Sequence, residues 1–364
     1  MNILNVTSAV SPMGGTITKI RKLVQSSRHQ NIIYFYLRKE TYDRAQNEKQ
    51  YYIHHNIKAY YGNYGNNFFK HAKVINKIIK QEKIDIVNFY FHAETPCSII
   101  LRRIHPKIKL IRTFEGYVCK KGYRNFILKL GLKRIDHLIY ISDYIKKCYE
   151  KDFVFLKKKK NSIIYNSPIN IHEPQITQSE RHLVSYVGGL NVNKNVPLLI
   201  DMMNVVVNLH KRQDIILSII GDGADRNEIE NKIKEFNLEN NVNLLGNQSD
   251  VSRFLDDTMV YVHSATNEGF GISVVEAMYM KCPCILADAS ALPELIDESC
   301  GYLISPERPD IWAEKLIFLV DNPLVRLKMG EAAHRRVQEK FSFDSYVNNI
   351  DKLYEELIEN AHHQ

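Results

Sequence analysis

Short apolar runs alternate with longer amphipathic segments along this chain, stop at a polar break, and then begin again. In the first half NILNVTS leads into a helical segment from about Gly15 to Ser27, and NIIYFYL follows. DIVNFYF (85–91), KLIRTF (109–114), HLIYIS (137–142) and NSIIYNS (161–167) continue the series, with helical segments such as NNFFKHAKVINKIIKQEK (66–83) between them. Strands alternating with crossover helices predict parallel sheets covered on both faces. PINIHEPQITQSERH has no apolar period and reads as a linker. HLVSYVGG (182–189) then restarts the pattern, with a helix predicted over 196–211. DIILSIIGDG (214–223), NVNLLG (241–246), MVYVHSA (259–265) and CPCILAD (282–288) follow as strands, and three helical segments close the chain.

The expected organisation is an α/β chain of two parallel-sheet domains. These are an N-terminal domain over 1–168, a linker over 169–181, a C-terminal domain over 182–342, and a helix over 343–364 expected to pack back on the first domain. Two such halves imply a cleft between them, with ligands at the carboxyl ends of the strands. The length of 364 residues agrees, since single cores stop growing below that size. No run of eighteen apolar residues occurs, and MNILNVTS reads as a first strand rather than a leader. Six cysteines at 97, 119, 148, 282, 284 and 300 form no CxxC pair, so neither a metal site nor a disulfide framework is expected, and a reduced cytoplasmic setting fits.

The formal charge of +8 favours an anionic partner. Basic residues concentrate in KKGYRNFILKLGLKR (120–134) and KKKK (157–160), yet no nucleic-acid motif appears, and nucleic acid is not an expected partner. The cationic stretch, interleaved with Phe126, Ile127, Leu128 and Leu130, raises peripheral contact with an anionic membrane surface at the inner face of the plasma membrane. An ordinary helix packed on the N-terminal sheet is the competing reading.

NEGFGISVVEA (267–277) carries the chemistry. It places Glu268 in a loop past the end of a strand and Glu276 about one turn into the following helix, which is predicted to start near Ile272. A carboxylate in an apolar run needs a partner or a shifted pKa. Gly269 and Gly271 leave the backbone bare, and the first amides of a helix are free donors. Two carboxylates over bare amides suit a polyol, because carboxylates accept from hydroxyls and amides donate to them. Glu268 as a helix cap with Glu276 exposed stays open on this pattern alone.

E-GFGISVV-E resembles the E-x7-E signature of the retaining glycosyltransferases of family four, which have the GT-B architecture of two Rossmann-like domains facing each other across a cleft. YVGGLNVNKNVPLLI (186–200), IIGDGADRNEIE (219–230), LLGNQSDV (244–251) and PCILADASALPELI (283–296) extend the resemblance through the second half. SPMGGTITKI (11–20), YISDYIKKCYE (140–150) and IIYNSPI (163–169) extend it more weakly through the first. The resemblance implies a hexosyltransferase-type enzyme of cell-surface polysaccharide biosynthesis. It would move a sugar from a nucleotide-sugar, UDP- or GDP-linked, to a glycan or lipid-linked acceptor.

It also implies roles. Glu268 bonds donor-sugar hydroxyls with the amides of Gly269, Phe270, Gly271 and Ile272, and Glu276 holds the ribose hydroxyls. Lys194 clamps the diphosphate, Gly188 and Gly189 border the donor, and Gly14 and Gly15 pack against the phosphates. No Asp-x-Asp occurs in the chain, so no metal and no cofactor beyond the donor is expected. A lysine with helix amino termini would meet the charge that grows on the leaving diphosphate.

Two positions depart from the family pattern. Gly189 stands where the family usually has arginine, and Glu115 of TFEGY stands where it often has histidine, on the acceptor or donor side. An acidic group near the donor phosphates repels them unless it is protonated or turned away. Two alternatives stay open: a nucleotide-sugar epimerase of the same fold, and an inactive sugar- or nucleic-acid-binding relative.

Overall fold

The computed structural model describes residues 1–10, 15–118, 122–169, 171–176 and 180–362. They form two compact units: Met1–Tyr165 with Asp344–Gln364, and Asn166–Phe343.

The first unit holds seven parallel strands: β1 (Asn2–Thr7), β2 (Gln30–Leu37), β3 (Lys58–Asn63), β4 (Ile86–Phe89), β5 (Lys109–Phe114), β6 (His137–Tyr140) and β7 (Asn161–Ile163). Their order is β3-β2-β1-β4-β5-β6-β7, with adjacent pairs parallel. The chain runs outward one way from β1 and then returns to β4 on its other side. The loops after β1 and β4 therefore diverge at the carboxyl edge, where open α/β sheets bind ligands. Ile3, Leu4 and Val6 of β1 and Ile32, Ile33 and Phe35 of β2 are buried, as expected for strands covered on both faces.

The segment from Asp344 belongs to this unit. Asp351 accepts bonds from Ser27 Oγ (2.6 Å) and the Arg28 amide (3.0 Å), and Asn88 Nδ2 donates to Tyr354 OH (3.2 Å). The stretch expected to be a linker counts with the second unit, where the Gln175 amide donates to Asp256 Oδ1 at 3.0 Å.

The second unit repeats the plan with six strands: β8 (Leu183–Val187), β9 (Leu217–Ile220), β10 (Val242–Gly246), β11 (Thr258–His263), β12 (Cys284–Ala287) and β13 (Gly301–Ile304). The order β10-β9-β8-β11-β12-β13 puts its switch point between β8 and β11. Helices Pro197–Asn204 and Pro309–Asp321 cover the sheet and bury Leu199, Ile200, Trp312 and Leu316.

Several elements differ from the sequence reading. β3, β13 and the helices Lys39–Asn47 and Lys49–His54 were not anticipated, and NSIIYNS is a strand only over Asn161–Ile163. The helix predicted over 196–211 is α-helical only over Pro197–Asn204. It then widens into a π-turn at Val205–Leu209, where the His210 amide reaches back five residues to Val205 O (3.0 Å). The basic helix Tyr123–Lys133 buries Leu128 and Leu132 against its own unit, so those leucines cannot rest on lipid. Lys120 and Lys121 lie outside the described residues. The lysine run is partly structural, since Lys159 Nζ donates to the carbonyls of Lys133 (3.2 Å) and Ile135. The described cysteines, 97, 148, 282, 284 and 300, are free thiols.

Candidate functional site

The loops after β8 and β11 meet at the switch point of the second sheet. The first runs through Gly188 and Gly189 to a short turn, Val192–Lys194, closed by Asn195 at φ +47°. The second runs from His263 to the helix Ile272–Tyr279. The amides of Thr266 and Asn267 donate to Asn193 O (3.0 and 3.2 Å), and Ser264 Oγ donates to Lys194 O at 2.9 Å. These bonds fix one loop against the other and bring Lys194 and Glu268, 74 residues apart in sequence, into a direct ion pair.

Glu268 is held from several sides. Lys194 Nζ and His263 Nε2 (3.3 Å) both reach Oε2, and the Glu268 amide donates to Ser290 Oγ at 3.0 Å. Burial pushes this carboxyl up, but the hydrogen bond from His263 and the charge of Lys194 outweigh it and hold the pKa at about 2. The group is therefore a carboxylate throughout the neutral range. His263 is fully buried at the end of β11 between the rings of Tyr186 (5.3 Å between centroids) and Tyr261 (6.1 Å). Burial pushes its pKa down, so the imidazole is neutral. With Nε2–H given to the carboxylate, Nδ1 is left as an acceptor 3.3 Å from Tyr261 OH. Sequence reasoning singled out neither His263 nor Ser290. A histidine ending the apolar strand MVYVHSA was the available signal.

The helix after Glu268 starts at Ile272, as the spacing predicts. Gly271 sits at φ +105°, and a Cβ there would lie 3.1 Å from Leu295 Cδ1, so backbone conformation and packing require this glycine whatever ligand approaches. The Phe270 ring turns into the core against Phe341 (5.7 Å), which leaves only its backbone for a ligand. Glu276 lies one turn into the helix between buried Val275 and Ala277. It is itself half-buried, and the Ile169 amide donates to its Oε1 at 3.3 Å. Its carboxylate thus has a polar partner beside the apolar face of its own helix.

The two departures have physical settings. Gly189 is exposed and outside the left-handed region. A Cβ there would meet Asn191 Nδ2 at 3.3 Å and Asp222 O at 3.9 Å, so a longer side chain fits with a small shift of Asn191. Glu115, in the first unit just after β5, is nearly buried and takes both its oxygens to Lys19 Nζ at 2.6 Å. Lys19 is fully buried on the helix Gly15–Ser26, and desolvation pushes its pKa down while Glu115 opposes that. The acidic group is thereby neutralised within its own unit. Gly15 opens the same helix and is exposed; Gly14 lies outside the described residues. Among the described residues no group of three or more His, Cys, Asp or Glu is arranged to hold a metal ion.

Two doubly wound parallel-sheet units are the GT-B arrangement. The structure of HepE from Anabaena in complex with UDP superposes with a TM-score of 0.82 at 16% identity, covering 98% of this chain and 100% of that one. The family description "Glycosyl transferases group 1" matches residues 169–336, and "Glycosyltransferase Family 4" matches residues 18–167. A glycosyltransferase of Methanocaldococcus jannaschii, itself uncharacterized, is 28% identical over 95% of each chain. A poly(ribitol-phosphate) α-N-acetylglucosaminyltransferase of Staphylococcus aureus is 30% identical over 54% of this chain and 40% of its own. The chain belongs to the family-four glycosyltransferases of GT-B fold, and it is an enzyme of that class.

Proposed function

We propose that this enzyme transfers a sugar, with retention of configuration, from a nucleoside-diphosphate sugar to a glycan or lipid-linked acceptor in cell-surface polysaccharide synthesis. The observation that carries the reading is the Lys194–Glu268 pair at the switch point between β8 and β11. A cation beside a carboxylate of low pKa, next to the amino end of a helix, suits a donor that is a phosphate at one end and a polyol at the other. In this reading Glu268 accepts bonds from donor-sugar hydroxyls, and the amides of Gly269, Phe270, Gly271 and Ile272 donate to the sugar. Glu276 accepts from the ribose hydroxyls. Gly14 and Gly15 approach the phosphates, as do Gly188 and Gly189. Glu115, paired with Lys19, shapes the acceptor side without a free charge.

As the bond from the anomeric carbon to the phosphate breaks, Lys194 turns from Glu268 toward the leaving diphosphate and stabilises its growing charge. The acceptor oxygen attacks on the same face, and the departing phosphate takes its proton. We propose that this needs no metal; a chelator should leave turnover unchanged. HepE with UDP supports a UDP-linked donor for this chain also.

No described helix is long and apolar enough to cross a membrane. We propose cytoplasmic work at the inner membrane face, supported by exposed Tyr123 and Phe126 beside Arg124, Lys129, Lys133 and Arg134. Sedimentation with anionic liposomes at low but not high salt tests that part. Incubation with a panel of nucleotide-sugars tests the main reading: one donor releases its nucleoside diphosphate, and the sugar keeps its anomeric configuration. Release from none of them, or inversion, overturns it.

A further inference from the structure

A cavity of about 230 Å³ lies at the carboxyl edge of the first sheet; its described lining belongs to the first unit and includes none of the donor residues above. Arg38, directly after β2, and His92, just after β4, line it from strands on either side of β1, and it therefore spans that sheet's own switch point. Phe68, which opens the helix after β3, forms one wall, and Ile127 and Leu128 of the helix Tyr123–Lys133 form another. Arg124, from the first turn of that helix, completes the lining.

Among the described residues, the lining contains two guanidinium groups and no carboxylate. Neither Arg38 nor Arg124 has an ion-pair partner among the described residues; Arg44, Arg103, Arg134, Arg253 and Arg335 have none either, but Arg38 and Arg124 share one cavity. Paired cations left uncompensated beside a cavity favour phosphate, which guanidinium grips by charge-assisted, bidentate bonds. The exposed rings nearby are unusual in the opposite sense. Tyr123, in the lining, is 76% exposed; Phe69, which stacks on Phe68 of the wall with centroids 4.3 Å apart, is 65% exposed; and Phe126, next to Ile127 on the same helix, is 58% exposed. Large rings gathered beside a cationic cavity have apolar surface to cover, and a free phosphate or a polyol would not cover it.

We propose that this cavity binds the phosphate-linked lipid end of the acceptor. A phosphate or diphosphate lies between Arg38 and Arg124, the first carbons of the chain pack on Phe68 and Ile127, and the tail leaves over Phe69, Tyr123 and Phe126. The inference rests on the glycosyltransferase reading and narrows its acceptor to a sugar carried on a long-chain lipid phosphate. A polyol-phosphate polymer shares the anionic chemistry but has nothing to gain from the aromatic rim.

The test is titration of the purified chain with farnesyl diphosphate, monitored by calorimetry with UDP present at saturation so that the donor site cannot take the diphosphate. Farnesol, inorganic pyrophosphate and sn-glycerol 3-phosphate are the comparison ligands. The expected result is that farnesyl diphosphate binds at least tenfold more tightly than any of the three. Arg38→Gln with Arg124→Gln weakens it at least tenfold, and so does Ile127→Asp. Both arginines are exposed, so the double variant keeps its fold. No binding of farnesyl diphosphate overturns the proposal. So does undiminished binding by the double variant, or equal binding of pyrophosphate or glycerol 3-phosphate. UDP binding measured beforehand in the same preparation separates the two claims. Its absence counts against the donor reading, while the dependence of farnesyl diphosphate on Arg38 and Arg124 still decides the cavity.

Discussion

Gly189 occupies the position at which this family usually carries arginine, and its surroundings leave room for one. In the proposed function a single cation meets the diphosphate, and Lys194 would bear most of the charge stabilisation there. Losing a charge-assisted bond costs about 1.5–3 kcal/mol, so Lys194→Ala should weaken nucleoside-diphosphate binding by roughly tenfold or more and nearly abolish turnover. Gly189→Arg restores the pair and should tighten that binding, with turnover rising or unchanged. Calorimetry with UDP checks both, and weaker binding by a folded Gly189→Arg chain would mean that another group already fills the space. Glu276 makes a different contribution. Its substitution by alanine removes the acceptor for the Ile169 amide and, in our reading, for the ribose. Nucleotide affinity should fall by on the order of 1–3 kcal/mol while the maximal rate changes little, which a comparison of KM and kcat resolves.

The turn and helix from Glu268 to Tyr279 were legible in the sequence because two glutamates, two glycines and an apolar run fix where such a helix begins. What holds Glu268 was not legible. Lys194 and Ser290 come from remote loops, and His263 reads as an ordinary core residue until the fold stacks it between Tyr186 and Tyr261. The same limit hid Lys19 as the partner of Glu115, 96 residues away. β3 was missed because KAYYGN is an edge strand with a half-exposed, mixed pattern, which periodicity does not separate from a loop. Gly271 is the element's conformational pivot. Gly271→Ala forces an L residue to φ +105° against Leu295 and should destabilise the chain by about 1–3 kcal/mol, read as a lower midpoint in urea.

A second element-scale device is the turn after β4. Buried Glu94 accepts the amides of Tyr90 and Phe91 (3.0 Å each), near Arg112. Burial, opposed by Arg112, raises its pKa to about 7 from the ordinary 4.5. The folded chain therefore holds a proton that the unfolded chain releases between those values. That contribution is complete below pH 4.5 and is lost as pH rises through 7. Glu94→Gln removes it, so between pH 5 and 8 the variant should gain on the wild type by on the order of 2 kcal/mol in denaturant unfolding. A constant difference across that range would contradict the assignment.

At the scale of the whole molecule, one plan is used twice. Each sheet reverses direction beside its first strand and gathers polar groups where the loops diverge: Lys194 and Glu268 in the second unit, Arg38 and His92 in the first. The repeat of strand and helix across a polar break was enough to foresee two parallel-sheet domains, because both faces of every inner strand must be buried. It could not assign the segment after residue 165 to the second unit, since a polar stretch held by backbone bonds looks the same in sequence as a free linker. The proposed function depends above all on Glu268 acting on the donor sugar. The most direct test is the rate of donor turnover by wild type and by Glu268→Ala, both verified as folded by circular dichroism. We expect turnover to fall by roughly a hundredfold or more, the scale for losing an aligned polar contact in the transition state. Wild-type turnover in the Glu268→Ala chain would contradict the assignment.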